Sequence, residues 1–242
     1  MVKKNGNVSL TNPPLWRKPE GVAKIANEIL FSKQLVDISC HGFEEGEKAF
    51  GAQTSYDSWT AKNCSPTELT NVRFQDGEVA KVDLTKTNFM PSGYYSEIME
   101  LITDNVEEQV NFIYSRSAYG SDKPNMSLEK DDKFLNPCIY TITKDEINLW
   151  YSDTTENGHF DIPKVMWSNG SATRPIVDNE GEYGLMQFSY AIADDPENLE
   201  NIAKALASEK MKRLMSCNMF TKGVYNNTII NMFKKDFWKE FV

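Results

Sequence analysis

The sequence predicts two regions in succession, an α/β region followed by an α+β region. Three observations carry this. A helical apolar period lies between strand-like stretches in the first hundred residues, β-type segments crowd together after residue 137, and a polar stretch holding Gly120 and Pro124 separates the two. The expected organisation is residues 1–114, a linker or long loop over 115–136, and residues 137–242.

Asn7-Val8-Ser9-Leu10 reads as a short strand running into Asn12-Pro13-Pro14. Two prolines there remove ladder donors and bar a helix, so the chain must leave the sheet as a loop. From Gly21, the residues Val22, Ile25, Ala26, Ile29 and Leu30 recur at the spacing of an amphipathic helix. Residues 35–39 then alternate like a strand. Residues 71–74 and 79–82 flank Asp76-Gly77, the strongest hairpin signal in the chain. Residues 94–112 carry Ile98, Leu101 and Ile102 on one side, which predicts a second helix. Beyond the polar stretch, residues 138–143, 147–151, 164–167 and 185–193 read as strands of a second sheet, separated by Asn157-Gly158, Asn169-Gly170 and Glu180-Gly181. Asp195 caps a helix with Pro196 and Glu197 in its first turn and Leu199, Ile202, Ala203 and Leu206 on its apolar face. Met211, Leu214 and Met215 extend the helical pattern after Ser208. The tail over 228–242 is rich in Ile, Phe and Trp and is expected to dock on the body.

Of the 242 residues, 40% are hydrophobic and 25% charged, a composition that folds rather than one that stays disordered. No run of about 18 apolar residues occurs and no apolar signal-peptide core opens the chain, so no membrane segment is expected and the chain reads as cytoplasmic. Cys40, Cys64, Cys138 and Cys217 form no CxxC pair, which argues against a zinc site or a disulfide framework. The formal charge of −9 counts against a free-standing nucleic-acid binder. Clustering of acid at Glu44, Glu45 and Glu47, at Glu107 and Glu108, and at Asp194, Asp195, Glu197 and Glu200 leaves room for a basic face elsewhere.

The most informative element is Thr11-Asn12-Pro13-Pro14-Leu15-Trp16. The amino nitrogen of adenine is a poor nucleophile because its lone pair is delocalised into the ring. Acceptors placed against its N–H bonds restore reactivity. An Asn side-chain oxygen and a rigidly held Pro carbonyl supply two such acceptors, and a neighbouring aromatic can stack on a base flipped from the duplex. Asn12, Pro13, Pro14 and Trp16 are therefore the candidate catalytic residues. Arg17, Lys18, Lys164 and Arg174 are candidates for phosphate, Tyr56 and Trp59 for stacking, and His159 for a backbone contact from a short polar loop. Two histidines, His41 and His159, are too few and too scattered for a metal or triad site.

Asn12-Pro13-Pro14 with Trp16-Arg17-Lys18-Pro19-Glu20 resembles the catalytic loop of adenine-N6 DNA methyltransferases of restriction–modification systems. The likeness continues in residues 46–50 and 54–59, in Gly158-His159-Phe160-Asp161-Ile162-Pro163-Lys164-Val165, in residues 183–188 and in residues 233–241. Leu15 stands where the family has an aromatic residue, and Trp16 comes one place later. The resemblance implies a partial Rossmann-like methyltransferase half followed by a mixed-sheet target-recognition domain, with double-stranded DNA as partner. In this family the S-adenosylmethionine-binding turn lies upstream of the catalytic loop. Eleven residues precede Asn12 here, and no Gly-rich strand-to-helix turn follows. The resemblance thus implies a chain that binds no cofactor alone and takes S-adenosylmethionine only when a partner chain supplies that segment. Three rival readings remain open: a binding module with no enzymatic role in which the Asn-Pro-Pro loop is only a turn, an acidic DNA mimic that inhibits a restriction or repair enzyme, and a restriction endonuclease subunit.

Overall fold

The computed structural model describes residues 3–17, 30–87, 89–115, 118–168 and 171–242. They form a mixed α/β protein with three small sheets. The chain divides into two compact units, neither of them one run of sequence: residues 1–100 with 214–224, and residues 101–213 with 225–242. Lys18 and the helix expected from Gly21 lie outside the described residues, except for Leu30.

The first unit contains β1 (Asn7–Asn12), β2 (Gln34–His41), α1 (Phe43–Phe50), β3 (Tyr56–Lys62), β4 (Thr70–Arg73) and β5 (Val79–Val82). The sheet order is β1-β3-β2-β4-β5. β3 is antiparallel to both β1 and β2, β4 is parallel to β2, and β5 is antiparallel to β4. β1, β2 and β4 therefore point the same way and end at one edge of the sheet. In β3 the side chains of Asp57, Trp59 and Ala61 are buried while Tyr56, Ser58 and Thr60 are half-buried. This two-residue period makes one face apolar, with Leu35, Ile38, Cys40, Trp59, Ala61, Val72 and Val82 packed on Trp16, Phe31, Phe74, Leu84 and Met90. The other face is left to polar side chains, the arrangement of a sheet with one wet side. The β4–β5 hairpin closes where its turn chemistry predicts, with Arg73 opposite Val79 and Gly77 at φ 89°.

The helix expected over 94–112 runs only from Tyr95 to Leu101 (α2). Side chains just beyond it capture the backbone instead: Asn105 N–H donates to Thr103 Oγ1 at 3.2 Å and Glu107 N–H to Asn105 Oδ1 at 3.3 Å. Phe112 lies in β6 (Asn111–Ile113).

The second unit adds β7 (Met126–Ser127), β8 (Asn136–Ile142), β9 (Ile147–Ser152), β10 (Lys164–Ser168), β11 (Ser171–Asp178), β12 (Gly184–Leu185) and β13 (Ser189–Ala193). The expected single sheet is two, ordered β11-β10-β13-β6 and β12-β8-β9-β7. They pack together through Ile139, Ile142, Met166, Leu185 and Ala191. This second layer helps explain why every residue of β10 and β13 is buried. The stretch 115–136 belongs to this unit. Tyr119 is fully buried there and its hydroxyl donates to Thr154 O and Glu156 O, while β7 pairs with β9.

α3 (Pro196–Ala207) begins after Asp195 as expected, but the Asp195 side chain makes no capping hydrogen bond; Asp194 Oδ1 instead accepts from Asp195 N–H and Asn198 Nδ2. α4 (Glu209–Ser216) follows the break at Ser208. The tail docks as expected, with α5 (Asn227–Asn231) and Phe233 and Phe237 burying apolar side chains in the second unit. Among the described residues no helix is long and apolar enough to cross a membrane, and no group of three or more His, Cys, Asp or Glu could hold a metal ion.

Candidate functional site

β1 ends at Asn12, Pro13 is exposed, and residues Pro14–Arg17 form one turn of 3-10 helix that buries Pro14, Trp16 and Arg17. Leu15 is left 47% exposed. The turn is held from beneath by Asp57, which lies opposite both Asn12 and Cys40 in the sheet register. Asp57 Oδ2 accepts from Trp16 Nε1 at 2.8 Å and from Arg17 Nε at 2.7 Å, and Oδ1 accepts from Arg17 Nη2 at 3.1 Å. The guanidinium also donates to Met90 O at 2.7 Å and Ser92 Oγ at 2.9 Å, and Ser92 N–H donates to Asn218 Oδ1. Both charges of the Arg17–Asp57 pair are sealed from water. Burial alone would lower the pKa of Arg17, but the facing carboxylate outweighs it and holds the guanidinium above its ordinary value. Burial pushes the neighbouring Cys40 and Cys217 thiols up to about 12.

Asn12 is oriented by two bonds. Its Oδ1 accepts from Trp59 Nε1 at 2.6 Å, and its Nδ2 donates to Pro13 O at 2.9 Å. Each of the two oxygens proposed as amino-group acceptors thus already holds one hydrogen bond and keeps a second lone pair. The Trp16 ring is 6% exposed and packs edge-on to Phe31 and tilted against Trp59. It lies within the core of the unit, and the apolar side chain open to solvent beside Pro13 is Leu15. Among the described residues of the turn no ionisable group faces solvent, and what it presents is hydrogen-bond acceptors, Asn12 Oδ1 and Pro13 O.

An open apolar cavity of about 260 Å³ lies toward the start of β1, lined by Gly6, Val8, Leu30, Ala61 and Trp59. Trp59 therefore contributes both to that wall and to the orientation of Asn12. The strand-to-helix junction after β2 has the single glycine Gly42, and its N–H is already closed by Glu45 Oε2 at 3.0 Å. No cradle of free amides remains there.

The structure brings together Asn12, Pro13, Pro14, Trp16, Arg17 and Trp59. Tyr56 is on the opposite face of the same sheet, stacked on His41 at 4.3 Å. His159, Lys164 and Arg174 belong to the second unit. His159 adopts a left-handed conformation between left-handed Asn157 and Asp161, and its Nε2 lies 3.2 Å from Tyr114 O. Lys164 is fully buried, donating to Asp178 Oδ2 at 2.7 Å and Ile162 O at 3.1 Å. Burial lowers its pKa and the Asp178 carboxylate opposes that shift. Arg174 is exposed, with Nη1 3.4 Å from Lys144 O. Asp57 was missed by sequence reasoning. The alternation in Tyr56-Asp57-Ser58-Trp59 carried a signal, since an inward Trp59 puts Asp57 inward too, and a buried carboxylate demands a cation.

No family model and no curated protein matches this chain. Among solved structures it is similar to the type IIG restriction endonuclease BpuSI, with 11% identity and a TM-score of 0.35, over 99% of this chain and 42% of that one. The chain thus spans less than half the length of that enzyme, and a likeness at this level fixes neither fold nor function.

Proposed function

We propose that this chain is a DNA-recognition portion of an adenine-N6 methylation system, with Asn12 Oδ1 and Pro13 O receiving the amino group of an extrahelical adenine. One observation carries the reading: the Asn12 turn follows β1 at the edge where β1, β2 and β4 all end. That carboxyl edge is where open α/β sheets bind ligands. The buried Arg17–Asp57 pair and the Trp59 indole hold the two acceptors still, and Leu15 offers the apolar surface for the base. Trp16 serves by anchoring the turn. On this reading the first unit is the second half of a Rossmann-like methyltransferase sheet, with β3 inserted antiparallel between β1 and β2, and the second unit reads the target. S-adenosylmethionine would be held by a partner chain.

The test uses the ¹⁵N-labelled protein with adenosine and with purine riboside, which lacks the 6-amino group. Adenosine should shift the Asn12 side-chain amide and the Trp59 indole N–H, purine riboside should not, and Trp59→Phe should weaken the response. Equal shifts with both nucleosides, or none at millimolar adenosine, would overturn the assignment. The rival DNA-mimic reading draws on the charge of −9 and on Glu44, Glu45 and Glu47 in α1. A mimic retains no duplex DNA at low salt, whereas a recognition chain does so with a salt-dependent affinity.

A further inference from the structure

We propose that the water-facing side of the five-stranded sheet is a binding surface for single-stranded nucleic acid, separate from the Asn12 turn and independent of its assignment. The strand registers place four rows of side chains on this face. Ser9, Thr60, Asp37, Asn71 and Lys81 form one row across all five strands, and Thr11, Ser58, Ser39, Arg73 and Val79 form the next. With strands ~4.8 Å apart, the face is about 19 Å wide. Its β1–β3 side is lined with hydroxyls, with Ser9 Oγ bonded to Thr60 Oγ1 at 2.9 Å and Thr11 Oγ1 to Ser58 Oγ at 3.4 Å.

Hydroxyls and lysines on a wet sheet face are ordinary in themselves. The distribution of charge is what singles this face out. Lys62, Arg73 and Lys81 are exposed and form no ion pair among the described residues, whereas the strands put one carboxylate, Asp37, on the same side. Three cations against one anion leave +2 on the strand positions, and the rim residues Glu68 and Glu45 bring the whole face to zero, in a chain whose total is −9. Asp83, also on the rim, is occupied by Lys86.

A second feature matches the first. Tyr56 and His41 stack at 4.3 Å with an interplanar angle of 10°, and Phe50, 56% exposed, stands edge to face with Tyr56 at 5.0 Å. Sheet faces that bind single strands combine such aromatic platforms with cations for the backbone. Glu45 pairs with His41 at 3.2 Å and makes the aromatic end acidic. The backbone is therefore assigned to the Lys62, Arg73 and Lys81 side, and bases to Phe50 and Tyr56.

Fluorescence anisotropy of the full chain with a labelled twelve-nucleotide oligothymidylate, and with a twelve-base-pair duplex as competitor, tests this. Three phosphate contacts to a single strand predict a slope of log affinity against log salt of about −2. Lys62→Gln/Arg73→Gln/Lys81→Gln should bring that slope toward zero, and Phe50→Ala/Tyr56→Ala should weaken binding about ten-fold with the slope retained. Lys130→Gln/Lys144→Gln/Lys204→Gln removes the same charge from exposed positions of the second unit and should leave binding unchanged. No binding at low salt, equal loss in that control, or tighter binding of the duplex would overturn the proposal. Asn12→Ala abolishes the adenosine response without touching oligothymidylate binding, so the two assignments fail separately.

Discussion

Asp57→Asn is the sharpest perturbation of the first unit. The substitution keeps shape and removes the charge, leaving the Arg17 guanidinium at 0% exposure without the Asp57 carboxylate. It also replaces one carboxylate oxygen by an N–H donor. Whichever way the amide is turned, the new donor faces either Arg17 Nη2 or the Trp16 and Arg17 Nε pair. Breaking a buried pair by removing one partner costs about 3–5 kcal/mol, a large share of the ~5–15 kcal/mol that stabilises a domain. With a urea dependence of about 2 kcal/mol per molar, the midpoint should fall by about 2 M. Five resonances from 5-fluorotryptophan give the assay: Trp16 and Trp59 report on the first unit, and Trp150, Trp167 and Trp238 on the second. Arg17→Met/Asp57→Leu, which removes both charges, should recover most of the loss. A cost below about 1 kcal/mol for Asp57→Asn, in the range of exposed ion pairs, would refute the sealed-pair argument.

Lys164→Met leaves Asp178 with the Glu182 and Tyr183 N–H groups but no cation. The second unit should lose about 3 kcal/mol while the Trp16 and Trp59 resonances melt unchanged. Because burial pushes Cys40, Cys138 and Cys217 up to about 12, all three stay protonated at pH 8. A disulfide reagent at that pH should label Cys64 first and the other three only on unfolding, and a second fast thiol in the native protein would contradict this. Gly93→Ala places a Cβ 2.3 Å from Cys217 Sγ. It should lower stability by about 1–3 kcal/mol, read as a fall in Tm that Cys217→Ala partly reverses.

The elements legible in the sequence are those decided by neighbours along the chain. Asp76-Gly77 closes a hairpin because Gly77 alone accepts the left-handed backbone without cost. Asp195-Pro196 starts α3, and Pro13-Pro14 ends β1, because proline fixes its own φ and withholds a donor. The two-residue alternation in β3 likewise announces which side of the strand is wet. Nothing local could show that β3 would lie between β1 and β2, or that the later strands would divide into two sheets, because pairing partners are chosen by packing across long separations. The same holds for the site. The sequence by itself determined that a rigid Asn-Pro-Pro turn leaves a strand at residue 12. Only the tertiary structure decided that Arg17 would turn inward to a carboxylate 40 residues away rather than outward to phosphate, since a buried charge goes wherever its counter-charge is folded.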